Sequence, residues 1–457
     1  MQERSGSTVA VLGYCGTVAI GHMLLTTWGT VIVMANGAFE LKRACLRGLA
    51  GACLTLALGA TATSALSISG EDASRAFGKE SEVTVHLRSY YLERDRPSPS
   101  SDLGAWALGG WLGYQSGWFA DILRVGAVAY TSQPLWAPDD KDGTLLLKPG
   151  QEGYTVLGQA YVALRMQQNV FTAFRQLVEQ PEVNPRDIRM TPNTFQGYTL
   201  GGKVSEVAYY AGYLEKMKAI NSDEFRDMAA VAGVSGQSES MWLGGVDYRP
   251  SDTLGLRLST YFVSNVLSST YADVVWRTPL VNDMALKLSG QYMFQSSDGA
   301  ALTGVEFDTH AAGLRADLTR GPLTLTTFYN QTGKGQNYQT PYGVWAGYAY
   351  MIVTDFNRAG ETAWALGGSY DFKASVPGLS LTAYAVFGSD AVVAATGAPS
   401  TDKTEYDLTV DYRFGAERWP DWLRPLWLRF RYANVDESTV GTTHDVRVIA
   451  NWEWVFK

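Results

Sequence analysis

The chain has 457 residues, with 37 basic against 45 acidic side chains and a formal net charge of −8. That acidic balance argues against nucleic acid as a partner. All three cysteines, Cys15, Cys45 and Cys53, precede residue 66, which leaves the remainder without disulfides, thiolate metal sites or a cysteine nucleophile and suits passage through an oxidising periplasm.

Residues 1–33 carry an apolar run, Gly16 to Val33, broken by His22 and several threonines. Two readings stand: an extension ahead of a natural start at Met34, or a membrane anchor, since about twenty apolar residues can span a bilayer. From Met34 the pattern is that of a secretory signal. Lys42, Arg43 and Arg47 form its charged region, Gly48 to Leu58 its apolar stretch, and Thr63-Ser64-Ala65 a small-residue site with cleavage expected after Ala65. The expected mature chain is 66–457. No comparable apolar run follows, so any membrane-crossing structure there must be made of strands.

From Glu82 onward short alternating segments recur between clusters of Gly, Asp, Asn, Ser and Pro, with no shift in composition to mark a second domain. Val83, Val85 and Leu87 oppose Thr84, His86 and Arg88; Leu254, Leu256 and Leu258 oppose Arg257 and Ser259. Further on, Leu286, Leu288, Tyr292 and Phe294 oppose Lys287, Ser289 and Gln291, and Leu314, Ala316 and Leu318 oppose Arg315 and Asp317. Tyr406, Leu408, Val410, Tyr412 and Phe414 oppose Asp407, Asp411 and Arg413. In the last thirteen residues Val446, Val448, Ala450, Trp452, Trp454 and Phe456 share one side, and Asp445, Arg447, Asn451, Glu453 and Lys457 the other.

Alternation alone also fits a soluble β-sandwich. The 25 tyrosines and 14 tryptophans, many near strand ends, together with the aromatic last strand and the signal peptide, favour an all-β transmembrane antiparallel barrel in outer-membrane lipid. With roughly 9 to 11 residues needed per crossing, sixteen and eighteen strands are both reasonable.

Particular strings then become informative. Asp187 to Gly197, reading DIRMTPNTFQG, resembles the constriction-loop signature of the OprD family of outer-membrane porins. Leu87-Arg88-Ser89-Tyr90-Tyr91 with Arg94-Asp95, Gly110 to Tyr114 and Val125 to Thr131 follow in matching order, and Leu428 to Tyr432 with Arg447-Val448-Ile449 are similar to the family's last two strands. The resemblance implies a monomeric barrel of about 18 strands in a Gram-negative outer membrane, with an inward-folded constriction loop. It also implies uptake of small carboxylate solutes past a ladder of basic side chains, without a cofactor. Two departures are visible: Lys457 follows Phe456 at the end, and Glu179-Gln180-Pro181-Glu182-Val183 replaces a commoner Asn-Thr-Pro-Tyr approach to the loop. The closing strand, with Trp452, Trp454 and Phe456, is the expected contact for the barrel assembly machinery.

A porin makes no bonds, so its functional residues are those that set pore width and field. If Leu428, Phe430 and Tyr432 face lipid, Arg429 and Arg431 face the lumen, because the opposite phase would place two guanidiniums in hydrocarbon at about 2–4 kcal/mol each. The same phase makes Arg447, Arg413, Arg315, Arg257, Lys287 and Arg88 candidates for a lumenal basic ladder. Arginine suits the role because its planar fork takes a carboxylate bidentately and keeps its charge. The alternative is that these cations pair across the wall with Asp407, Asp411, Glu405, Asp445 or Glu453. Glu179 to Gln196, with Pro181, Pro185 and Pro192, reads as a stiff loop; the resemblance implies that it folds inward with Arg186, Asp187, Arg189 and Asn193 at the constriction, the alternative being a loop on the rim. Asp139 to Asp142 and Gly333 to Gly343 read as ordinary loops.

Within transport the alternative is a general or oligosaccharide-selective porin. A barrel hydrolase is the remote one: His86, His310 and His444 lie on different segments, none in a nucleophile motif, and no ligand spacing suggests a metal.

Overall fold

The computed structural model describes residues 70–415 and 418–457. The expected extension at 1–33 and the signal peptide with cleavage after Ala65 lie outside the described residues.

Nineteen strands follow one another among the described residues. The first seven are β1 (Glu82–Asp95), β2 (Leu103–Gln115), β3 (Leu123–Trp136), β4 (Tyr154–Met166), β5 (Asn169–Gln176), β6 (Thr194–Val204) and β7 (Val207–Lys218). A three-residue strand, β8 (Phe225–Asp227), precedes β9 (Met241–Tyr248), β10 (Leu254–Val263), β11 (Leu267–Pro279), β12 (Met284–Ser297) and β13 (Asp308–Arg320). The rest are β14 (Leu323–Thr332), β15 (Thr362–Asp371), β16 (Leu379–Ser389), β17 (Lys403–Arg413), β18 (Leu426–Glu437) and β19 (Gly441–Phe456). Apart from β8, each pairs antiparallel with its neighbours, and β1 pairs with both β2 and β19, so the sheet closes on itself. β8 pairs only with β7, which also reaches β9 directly. The closed wall therefore has 18 strands, and β8 is a flap beside it.

Closure explains the alternation. A sheet without edges satisfies its backbone groups internally, which is the condition for standing in hydrocarbon. The outward positions carry the apolar set: Leu256, Leu258, Leu288, Leu314, Leu428, Phe430 and Val448 are exposed, while Arg88, Ser259, Gln291 and Arg447 on the opposite phase are buried against the contents of the barrel.

The two ends differ. At one end the strands join by tight turns, such as Ser205–Glu206 between β6 and β7 and Gly321–Pro322 between β13 and β14. At the other lie the long connections 137–153, 177–193, 219–240 and 333–361. Short turns mark the periplasmic side of such a barrel and long loops the outer side.

Several long loops turn inward and meet lumenal side chains in apolar clusters. Tyr90 and Leu92 of β1, Ala105 and Ala107 of β2 and Ile449 of β19 pack with Leu146, Leu147 and Met190 from two different loops. Apolar residues thus face the lumen at this height because they meet loop rather than water. The expectation of ordinary loops needs correction at both places. Asp139–Lys141 opens a loop whose Leu146 and Leu147 are buried inside the barrel, and 333–343 begins the long connection that packs there beside 177–193. Thr194 to Gln196, expected within the stiff loop, begins β6, because the chain has by then rejoined the wall.

Candidate functional site

The loop between β5 and β6, residues 177–193, holds its course through its own turn chemistry. Asn184 lies between Pro181 and Pro185: its Nδ2 donates to the Pro181 carbonyl at 3.0 Å, and its Oδ1 accepts from the Arg186 N–H at 3.1 Å. The same Oδ1 accepts from the N–H of Val344 at 3.0 Å, and the Asn184 N–H donates to the Tyr342 carbonyl at 3.2 Å, so one side chain ties this loop to the 333–361 connection. Gly343 permits the approach; a Cβ there would stand 2.7 Å from Asn184 Nδ2. Glu182 adds a second tie, one oxygen 2.5 Å from Tyr338 Oη and the other 2.8 Å from Ser269 Oγ.

Both loops are pinned to the wall by ionic side chains. Arg88 donates to Asp187 at 2.6 and 3.2 Å, to the Arg189 carbonyl at 2.5 Å, and from Nε to Asn451 at 2.7 Å. Three strands round the wall, on β17, Glu405 accepts from the N–H groups of Val353 and Thr354 at 2.7 and 2.9 Å, and Asp407 from that of Ile352 at 3.1 Å. Arg447, held by Asp445 at 2.6 Å, donates to the Ile352 carbonyl at 2.6 Å. Wall charges here act as clips for loop backbone.

Beside these clips lies a cavity of about 500 Å³, lined by Trp111, Tyr130, Arg186, Asp187, Val344 and Tyr350 among others. A smaller one of about 150 Å³ is lined by Arg315, Tyr350, Asp407, Thr409 and Arg431 with neighbouring rings. Tyr350 belongs to both, so the two spaces adjoin through one ring of the 333–361 loop.

The ten cations expected from the sequence divide sharply. Six are bound to carboxylates: Arg88 to Asp187, Arg257 to Asp247 at 2.6 Å and Asp273 at 3.8 Å, Lys287 to Asp317 at 3.6 Å, and Arg315 to Asp317 at 2.7 Å. Arg429 to Asp411 at 2.8 Å and Arg447 to Asp445 complete them. The other four form no ion pair among the described residues. Arg189 is buried and occupied by the carbonyls of Thr144 and Ile188 at 2.8 and 2.9 Å. Burial, with Arg447 nearby, pushes its guanidinium down to about 10. Arg413 ends β17 at the periplasmic mouth and stacks on Trp427 at 4.1 Å. Of the ten, Arg186 and Arg431 are the two that line these cavities without an ion pair among the described residues; the Arg431 Nε donates to Thr409 Oγ1 at 3.3 Å. The carboxyl of Asp355, near enough for the Arg186 charge to act on it, is raised by burial. Asn193 lies inside the loop packing, donating to the Asn184 carbonyl at 3.3 Å.

Sequence reasoning missed Asn184, Trp111 and Tyr350. A turn at Asn184 is readable between two prolines. Tyr350 gives no signal, because only the inward fold of 333–361 makes it a lining residue.

Residues 75–456 match the family described as outer membrane porin, OprD family. The chain is 25% identical over 346 residues to Porin D of Pseudomonas aeruginosa, covering 71% of this chain and 77% of that protein. Its fold is similar to that of Pseudomonas aeruginosa OpdK, solved with vanillate, at TM-score 0.74 and 21% identity, covering 83% of this chain and 100% of the other. A BenF-like porin from Pseudomonas fluorescens is similar at TM-score 0.75 and 17% identity, with coverage of 83% and 100%.

Proposed function

The chain belongs to the OprD family of outer-membrane porins of Gram-negative bacteria, and on that premise we propose that it admits small carboxylate-bearing solutes through a passage served by Arg186 and Arg431. One observation carries the reading: these are the two expected cations that line the two cavities without an ion pair to a carboxylate among the described residues. A guanidinium in that state offers its fork to a passing carboxylate, and two moderate stations joined at Tyr350 release more readily than one deep site. The paired cations serve a different end, holding wall and loops in register. The vanillate in OpdK is a small aromatic carboxylate, which is compatible with the rings of Trp111, Tyr130 and Tyr350 around the larger space.

Those same rings favour one second reading, passage of neutral sugars over an aromatic surface. Liposome swelling with benzoate-like acids, amino acids and oligosaccharides at two salt concentrations separates the two. The carboxylate reading expects uptake of acids that slows with salt and with Arg186→Ala. Equal uptake of all three classes, unchanged by salt and by Arg186→Ala, sinks it.

A further inference from the structure

Glu182 belongs to the short stretch that departs from the family's usual loop approach, and its surroundings are unlike those of every other acid described above. Its carboxyl is buried, no cation lies within ion-pair distance among the described residues, and its neighbours are hydroxyls and rings. Tyr338 Oη stands 2.5 Å from one oxygen, Ser269 Oγ 2.8 Å from the other, and the two hydroxyls are 2.7 Å from each other. These three contacts close a ring and need three hydrogens. Tyr338 and Ser269 supply one each. The third must sit on Glu182 itself, so the ring as it stands contains a neutral carboxylic acid.

From this geometry we infer that the Glu182–Tyr338–Ser269 ring is a proton-operated latch, which holds the 177–193 loop to the 333–361 loop and to β11 while Glu182 is protonated and loosens both when it ionises. The inference rests on the channel reading above, because its consequence is a change in the passage. Glu182 stands two residues before Asn184 and four before Arg186, while Tyr338 leads into the segment that carries Tyr350, so slack at the latch reaches both lining groups.

Ionisation removes the third hydrogen, breaks the ring and leaves a buried charge with no counter-ion, which costs free energy unless the loop moves toward water. The groups packed around the carboxyl give it no relief. β11 contributes Ser269, β10 Tyr261, β7 Tyr210 and the 333–361 loop Tyr338, none of them cationic. Burial pushes Glu182 up to about 7, with the two hydroxyls pulling it part of the way back. The docked loop therefore holds a proton that a released loop, with an ordinary carboxyl near 4.5, does not hold between those values. Docking is strongest below about 4.5, weakens as pH rises, and is weakest above 7.

Current through the processed full-length protein in planar bilayers, recorded in potassium chloride from pH 5 to pH 8, tests this. Wild type is expected to be quiet at pH 5 and to gain current noise and at least about twofold more open-state fluctuation by pH 8 (a change of ~0.4 kcal/mol). Glu182→Gln, neutral at every pH, should keep the pH 5 behaviour throughout. Tyr338→Phe removes one hydroxyl and should show the noisy state already at pH 5. A flat wild-type profile, or a Glu182→Gln profile that rises like wild type by titration of His86 or another group, overturns the latch. Carboxylate preference with a flat profile leaves the proposed function standing without the latch. A latch profile without carboxylate preference leaves the reverse.

Discussion

On the β10–β13 side of the lumen every expected cation is matched: Arg257 by Asp247 and Asp273, and Lys287 and Arg315 by Asp317. At the tip of the 177–193 loop and on β18, Arg186 and Arg431 have no such partner. Both regions are rich in arginine and face the same water. The difference is that a carboxylate one strand away, or two residues along the same strand, has already taken the fork in the first region and not in the second. Lumenal orientation decides that a charge is compatible with the barrel; cross-strand pairing decides whether any of it is left for a solute.

The sharpest break of that comparison is to turn a clip into a vacancy. Arg447→Met leaves Asp445 buried with only Arg94 beside it and frees the Ile352 carbonyl, a change of about 3–5 kcal/mol if the uncompensated charge is fully felt. The expected outcome is a lower temperature for the heat-induced mobility shift in detergent gels, with solute preference altered only as the loop disorders. Next in size is the converse. Arg186→Ala with Arg431→Ala should leave the gel shift within a degree or two of wild type while carboxylate uptake falls about tenfold or more, the loss of one to two charge-assisted contacts of about 1.5–3 kcal/mol each. Equal damage to stability and uptake in both variants would erase the distinction between clip and station.

Gly343→Ala acts between the two. Its Cβ meets the Asn184 amide, so the loops must separate, at a cost of about 1–3 kcal/mol, and current noise should rise at every pH without loss of barrel stability. Smallest of all is Arg257→Ala. Its guanidinium is partly exposed and screened by water, so a change of no more than about 1 kcal/mol in stability and less than about twofold in uptake is expected.

The inward and outward faces of the wall strands were legible from period two. The outward Leu256, Leu258, Leu288, Leu314, Leu428 and Val448 stand where alternation puts them, and closure into eighteen strands agrees with the family resemblance. Direction was legible too for Arg429 and Arg431. Their states were not, because Asp411 reaches Arg429 through cross-strand register while Thr409 and Arg447 lie opposite Arg431, and alternation fixes the face a residue takes without naming its partner on the next strand. The loops were least legible. Tyr338, Tyr350 and Ile352 sit in a stretch with no periodicity, and their positions follow from carboxylates of β17 catching backbone N–H groups more than fifty residues away in sequence. Tyr90 and Leu92 show the other limit: apolar side chains on a lumenal phase read as misplaced until the loops that cover them are in view.

The pairing of β1 with β19 sets a schedule for biogenesis. Leu92 finds its partner in Arg447, and Val83 in Phe456, so the first strand made waits for the last before its outer hydrogen-bonding groups are occupied. Throughout translocation that edge is a template for aggregation. Any truncation that removes Gly441–Phe456 therefore abandons a sticky seam as well as a strand.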